Sequence, residues 1–131
     1  MTQLPIRPSP EGAAAECRRV QSVLDTVGRR WSGGIMVAAS RGARRFTDFR
    51  RAVPGISDRM LSQRLKELEN LGLLSRTVVP STPVQILYEP TARGLELLQL
   101  LQPLFRWGEK HLPALPPDES LIPTESEKPR R

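Results

Sequence analysis

The chain has 131 residues, 13 of them proline and one of them cysteine, and carries a formal charge of +6 with a pI near 10.7. That length suits one small domain with tails. The single cysteine rules out a disulfide within the chain and argues against a disulfide-stapled secreted module, and no apolar run approaches the ~20 residues of a membrane-spanning helix. The opening residues, MTQLPIRPSPEG, lack the apolar core of a signal peptide, so a soluble, cytoplasmic protein is expected. The positive charge is focused: between Arg41 and Lys66 eight basic residues face only Asp48 and Asp58, a local charge of +6 that equals the net charge of the whole chain. A concentrated basic stretch is the electrostatic footprint expected of a nucleic-acid partner.

Eight prolines fall near the two ends, so residues 1–12 and 113–131 read as flexible tails around a folded domain at 13–112. The domain opens with an amphipathic helix in AAAECRRVQSVLDTVG, with Val20, Val23, Leu24 and Val27 on one stripe and Gly28 able to end it. An apolar helix follows over about Trp31–Ser40, although Gly33 and Gly34 are poor helix formers. RFTDFRRAV forms a short third helix, PGI a turn, and Ser57 caps a fourth helix that ends at Gly72. LLSRTVV and VQILYE, separated by PSTP, predict a β-hairpin. TARGLELLQLLQPLFRWGEKHL predicts a long last helix that starts at Thr91 and is kinked at Pro103.

A short helix, a glycine-containing turn and a capped amphipathic helix make a helix-turn-helix, and the hairpin behind it makes the winged variant. The fold class is therefore mainly α with a small β-hairpin. On the fourth helix Leu61, Leu65 and Leu68 define the core side, extended by Met60, Arg64 and Leu71, while Arg59, Ser62, Gln63, Lys66 and Asn70 collect on the opposite side with no acid among them. In this docking mode the first part of the helix meets base edges, which nominates Arg59, Ser62 and Gln63 as base readers in the major groove of double-stranded DNA. Arg44, Arg45, Arg50, Arg51, Lys66 and Arg76 are the candidate phosphate contacts. Arg64 leans toward the core, where an internal salt bridge or helix packing competes with a phosphate role. The hairpin tip, Pro80–Pro83, has no basic residue, so insertion of an arginine into the minor groove there is not expected.

Three stretches, CRRVQSVLDTVGRRW, RRFTDFRRAVPGISDRMLSQRLKELENLGLLSR and ILYEPTARG, occur in this order. Their joint pattern, G-x-x-W, R-F-x-x-[LF], P-G-I-S-x-x-x-L-x-x-x-L-x-x-L, G-L-[LI]-x-R and Y-x-x-T-x-x-G, resembles the HxlR-type winged helix-turn-helix regulators from about Cys17 to Leu112. The resemblance implies a homodimeric bacterial or archaeal transcription factor whose first and last helices form the dimer interface, with Leu95, Leu98, Leu101, Leu104, Phe105 and Trp107 supplying apolar surface. Packing within the monomer is the competing use of the same residues. The resemblance also marks Cys17, followed by Arg18 and Arg19, as a candidate redox sensor, alongside a small-molecule effector. Departures from the family pattern are Gly33-Gly34 where bulky apolar residues are usual, and Val79, Pro83-Val84, Leu87 and Pro90 in the wing. The glycine pair implies either closer helix packing or a small cavity.

An enzyme is not expected. His111 is the single histidine, no Cys/His cluster has metal-ligand spacing, and Gly33-Gly34 does not follow a strand as a phosphate loop would. No metal or cofactor is implied. The other non-enzymatic reading is a winged-helix protein-interaction module that does not bind DNA, which would call for an apolar or acidic outer side on 57–70. RNA binding would call for more aromatic residues than three Phe, two Trp and one Tyr.

Overall fold

The computed structural model describes residues 10–113, so all but the inner edges of the two expected tails lie outside the described residues. The elements run α1 (Pro10–Val27), α2 (Ser32–Ser40), α3 (Phe46–Ala52), α4 (Asp58–Asn70), β1 (Leu74–Val79), β2 (Gln85–Pro90) and α5 (Ala92–His111). Proline is tolerated in the first turn of a helix, where its missing N–H would go unused, so α1 starts at Pro10, three residues before its apolar pattern begins. The Gly28 N–H closes α1 on the Leu24 carbonyl at 2.8 Å.

The centre of the core is α2. Ile35 and Ala39 are fully buried and Met36 and Ala38 nearly so, joined by Phe49 and Val53 from α3 and its end, Ile56 from the turn, Leu61, Leu65 and Leu68 from α4, and Leu73 and Leu74. The Phe49 ring stands edge-on to Tyr88 of β2, with centroids 6.2 Å apart. Gly55 takes the left-handed conformation, φ 91°, that the turn between α3 and α4 needs. The Ser57 hydroxyl then accepts from the Met60 N–H at 3.0 Å and starts α4 as expected.

Strands β1 and β2 pair antiparallel from Leu74–Pro90 to Val79–Gln85. Pro90, a departure from the family pattern, is the final residue of β2, where a missing N–H is harmless. The Tyr88 N–H donates to the Arg44 carbonyl at 2.8 Å, so the segment before α3 lies along the hairpin and fixes the wing to the helix-turn-helix.

The junction of wing and last helix is set by Thr91 and Gly94. The Thr91 hydroxyl accepts from the Gly94 N–H at 3.0 Å and donates to the Gly72 carbonyl at 2.6 Å, while the Thr91 N–H donates to the Leu73 carbonyl at 3.1 Å. A Cβ on Gly94 would collide with the Leu73 carbonyl oxygen and crowd the Met36 methyl. The T-x-x-G spacing is therefore a cap followed by a close helix–strand approach.

Helix α5 continues through Pro103. Leu98, expected at a dimer interface, is instead 5 % exposed and belongs to the core, because α5 crosses the domain at its first turns and leaves it further on. Leu95, Leu100, Leu104, Phe105 and Trp107 remain exposed, as do Val20, Val23 and Leu24 of α1, whose apolar stripe finds little cover within the chain. Leu71, assigned to the core side, is also exposed. An open cleft of about 390 Å³ separates α1 from α5 beside Val23, Val27, Leu97 and Leu100.

Gly33 and Gly34 do not tighten the helix packing. A Cβ on Gly33 would meet nothing within 4 Å, and one on Gly34 only the Val53 methyls at 3.8 and 3.9 Å. Both line an open groove of about 840 Å³ that reaches Arg41, Arg51 and Phe105.

Gly94→Ala should lower stability by about 1–3 kcal/mol, since its methyl overpacks a backbone contact that cannot yield. Chemical denaturation measures the loss, and Gly33→Ala, with open space around it, serves as the control at under ~1 kcal/mol.

Candidate nucleic-acid interface

Helix α4 buries one side completely and offers the other to solvent. Leu61 and Leu65 have no exposure and Leu68 has 2 %, which fixes the rotation of the helix and hence what its outer side presents. Arg59, Ser62, Gln63 and Lys66 are all exposed. Among the described residues no side-chain bond engages Arg59, Ser62 or Lys66, whereas Gln63 Nε2 donates to Glu67 Oε2 at 3.4 Å.

Arg64 is 7 % exposed and turns inward. Its Nε donates to the Arg30 carbonyl at 2.9 Å, and its Nη1 lies 3.2 and 3.4 Å from the two oxygens of Glu67. The salt-bridge reading of Arg64 therefore holds and a phosphate role does not. Glu67 also takes Arg29 Nε at 3.0 Å and Nη2 at 3.2 Å. The Arg29 hydrogen bond, followed by those of Gln63 and the charges of Arg64 and Arg29, holds the Glu67 carboxyl below the ordinary glutamate range against an opposing effect of burial.

The cations expected on phosphate divide into committed and open groups. Arg44 has a task other than the phosphate contact expected of it: its Nη1 donates to the Ala39 and Ala43 carbonyls at 2.9 and 2.7 Å, and its Nε is 3.7 Å from Glu89. It closes the loop between α2 and α3 onto the wing. Arg50 pairs with Asp58 at 2.9 Å and Arg51 with Asp48 at 3.2 Å. These exposed pairs are weak, so both guanidiniums can exchange an acid for a phosphate at modest cost. Arg45 Nη2 donates to Gln85 at 2.9 Å, which sets it between α3 and the wing. Arg76 and Lys66 are exposed, and among the described residues their side chains make no hydrogen bond or ion pair.

Asp48 starts α3. Its Oδ2 accepts from the backbone N–H groups of Arg44 and Arg45, both at 3.0 Å. Those two bonds, Arg45 first, lower its pKa below the ordinary aspartate range, aided by the charges of Arg51 and Arg45. In the sequence Asp48 figures only as one of two acids opposing the basic stretch; that it organises the helix beneath that charge emerges from the fold. The signal was an acid three residues after Arg45, at the position where a side chain can reach back to the first free N–H groups.

No helix among the described residues is long and apolar enough to cross a membrane, and no group of three or more metal-capable side chains occurs among them.

A short helix, a tight turn, a capped helix with a polar outer side and a two-stranded wing pinned beside it define the winged helix-turn-helix class of DNA-binding transcription regulators. The sequence narrows this further: residues 26–116 match the HxlR-like helix-turn-helix family, and the chain belongs to it. It is 35 % identical over 94 residues to the HTH-type transcriptional regulator YodB of Bacillus subtilis, covering 72 % of this chain and 84 % of that protein. It is 38 % identical over 93 residues to the regulator YtfH of Escherichia coli, covering 71 % and 74 %. Among solved structures, diamide-treated YodB superposes with a TM-score of 0.64 at 34 % identity, covering 75 % of this chain and 97 % of that one. The redox regulator HypR in its oxidized form superposes with a TM-score of 0.66 at 33 % identity, covering 73 % and 99 %. The family and these relatives are transcription regulators and not enzymes.

Because the folded-state pKa of Asp48 lies below the unfolded one, its contribution to stability is present above the ordinary aspartate range and is lost as pH falls through the folded value. Asp48→Asn should therefore lower Tm at pH 7, with the gap to the parent closing as the pH falls below the ordinary aspartate range. Thermal melts across that pH series read the difference.

Proposed function

We propose that the protein regulates transcription as a homodimer in the cytoplasm of a bacterium or archaeon, each protomer setting residues 57–70 into a major groove of operator DNA. The observation that carries this reading is the outer side of the first two turns of α4. There Arg59 and Ser62 stand exposed with no internal partner, on a helix whose rotation is fixed by three buried leucines. Donors held clear of the protein on a rigid helix are what base-edge recognition uses. Gln63 is the third reader, and Lys66, Arg45, Arg50, Arg51 and Arg76 surround the helix as phosphate contacts.

Homodimerisation accounts for the exposed apolar surface on α1 and on the outer part of α5. Val20, Val23 and Leu24 of α1 and Leu95, Leu104, Phe105 and Trp107 of α5 are large apolar side chains left exposed on two helices, surface that a partner would cover. Pairing two such surfaces gives two reading helices related by a two-fold axis, and so a palindromic operator with half-sites about one helical turn apart or a multiple of it. An interaction module without DNA binding predicts an apolar or acidic outer side on α4, and the exposed Arg59, Ser62 and Lys66 oppose it.

Binding assays test the division of labour. Arg59→Ala should weaken operator binding by about 1–3 kcal/mol with little effect on random DNA, whereas Lys66→Ala should weaken both and reduce the salt slope by about 1. Leu104→Glu should shift sedimentation from dimer to monomer and shrink the footprint to a half-site. Parent-like footprints for all three variants would overturn the assignment.

A second reading concerns oxidation, because Cys17 is exposed on α1, among the residues that dimerisation would draw together. Two Cys17 thiols brought within about 7 Å (Cα to Cα) could give up two electrons and two protons to an oxidant and form an intersubunit disulfide. Diamide should then produce a non-reducing dimer band and change operator affinity in the parent. Cys17→Ser should show neither effect.

A further inference from the structure

Of the three readers proposed on α4, Gln63 is the one already engaged. Its amide lies 3.4 Å from the Glu67 carboxylate one turn further along. An ionised carboxylate only accepts hydrogen bonds, so the nitrogen of the amide must face it and the choice of amide orientation is decided by chemistry. The Glu67 carboxylate is not free to follow Gln63. Arg29 Nε and Nη2 hold its two oxygens at 3.0 and 3.2 Å, and Arg64 Nη1 lies 3.2 and 3.4 Å from the same two. Arg64 is itself buried and anchored on the Arg30 carbonyl at 2.9 Å. Glu67 is thus a fixed acceptor beside a side chain whose orientation needs one.

We propose that Glu67 is a specificity-setting positioning residue: by holding the Gln63 amide nitrogen it turns Oε1 toward the DNA, so that the protein selects a base with a major-groove amino group on the strand that Gln63 faces. This rests on the assignment of Gln63 as a base contact made above. Adenine N6 and cytosine N4 are the donors available in the major groove, whereas guanine and thymine present acceptors there. Exchanging Glu67 for glutamine inverts the situation. The single amide oxygen then at position 67 is claimed by Arg29 and Arg64, the new NH2 group faces Gln63, and Gln63 must turn its own oxygen inward and its nitrogen out.

Selection of binding sites from randomised DNA tests this with the full-length parent and the variants Glu67→Gln, Glu67→Asp and Gln63→Ala. The parent should prefer A or C on one defined strand at one pair of each half-site by about fivefold or more, and Glu67→Gln should move the preference on that strand to G or T. Glu67→Asp keeps the charge that Arg29 and Arg64 need for folding but withdraws the carboxylate by one methylene. It should narrow the preference at that pair to within about twofold and leave the rest of the consensus intact. If Glu67→Gln is too unstable to assay, Glu67→Asp decides alone. An unchanged consensus in both Glu67 variants, or a uniform loss of affinity at every position, would overturn the proposal and leave Glu67 a structural ion pair. If Gln63→Ala keeps the parent consensus, Gln63 does not read bases and the proposal falls with that premise. If Gln63→Ala erases the preference while the Glu67 variants keep it, the premise stands and the proposal alone is wrong.

Discussion

The buried guanidinium of Arg64 is the point at which the outward-facing helix is fixed to the rest of the domain. Burying an arginine is costly unless its charge and its N–H groups are both satisfied. Here the Arg30 carbonyl and the Glu67 carboxylate do this, and no buried side-chain polar atom among the described residues lacks a partner. The arrangement constrains both sides. It sets α4 against the α1–α2 junction, and it helps hold that junction in an unusual shape, with Trp31 at φ 78° in the left-handed region. That conformation costs roughly 1–2 kcal/mol for a residue with a side chain. It persists because the neighbouring carbonyl is held by Arg64, the Arg30 guanidinium lies 4.7 Å over the Trp31 ring, and the Trp31 carbonyl receives the Ile35 N–H at 3.0 Å.

Charge on this surface is sorted by pairing across the fold. The basic stretch from Arg41 to Lys66 carries +6 in the sequence, yet two of the acids that answer it, Glu67 and Glu89, lie outside that stretch. Arg44 and Arg64 are drawn inward to hold loop and helix. Arg50 and Arg51 are in exposed pairs that a phosphate can displace, and Arg59 and Lys66 are left open. A count of charge along the chain therefore points to the helix-turn-helix and overestimates how many of its cations are free to serve a partner. Open cations, weakly paired cations and uncharged side chains therefore share the outer surface of the helix-turn-helix.

The helix-turn-helix was legible because its determinants are local. Leucines at 61, 65 and 68, a capping serine and a turn glycine each act within a few residues, and the β-branched runs of the hairpin do the same. Arg64 was legible in part, since its angular position on the helix already placed it inward. What the sequence did not disclose depends on approach between distant segments. The place of Leu98 in the core follows from where α5 crosses α2, and the role of Gly94 follows from the carbonyl of Leu73, twenty-one positions earlier. The groove beside Gly33 and Gly34 could be read only as an ambiguity, because a missing side chain is compatible with both contact and space until the neighbouring helix is located. The pairing of Arg44 with Glu89 was invisible for the same reason.

Helix α1 would connect the proposed dimer contact to this surface. Its apolar stripe is left half-exposed by its own domain, yet Arg29, just past its end, is bonded to the same carboxylate that holds Arg64 and touches Gln63. A helix with little packing of its own, joined to the reading helix through a charged node, has a position that whatever covers its apolar stripe will set. Covering that stripe with a second protomer would fix the direction of α1 and load or relax the Arg29–Glu67 contact. In the proposed dimer, its geometry and the orientation of Gln63 would then be linked through one carboxylate, with the leucine-packed side of α4 left in place. The buried side of that helix keeps it in place, and the node at Glu67 is where a change elsewhere in the dimer would reach it.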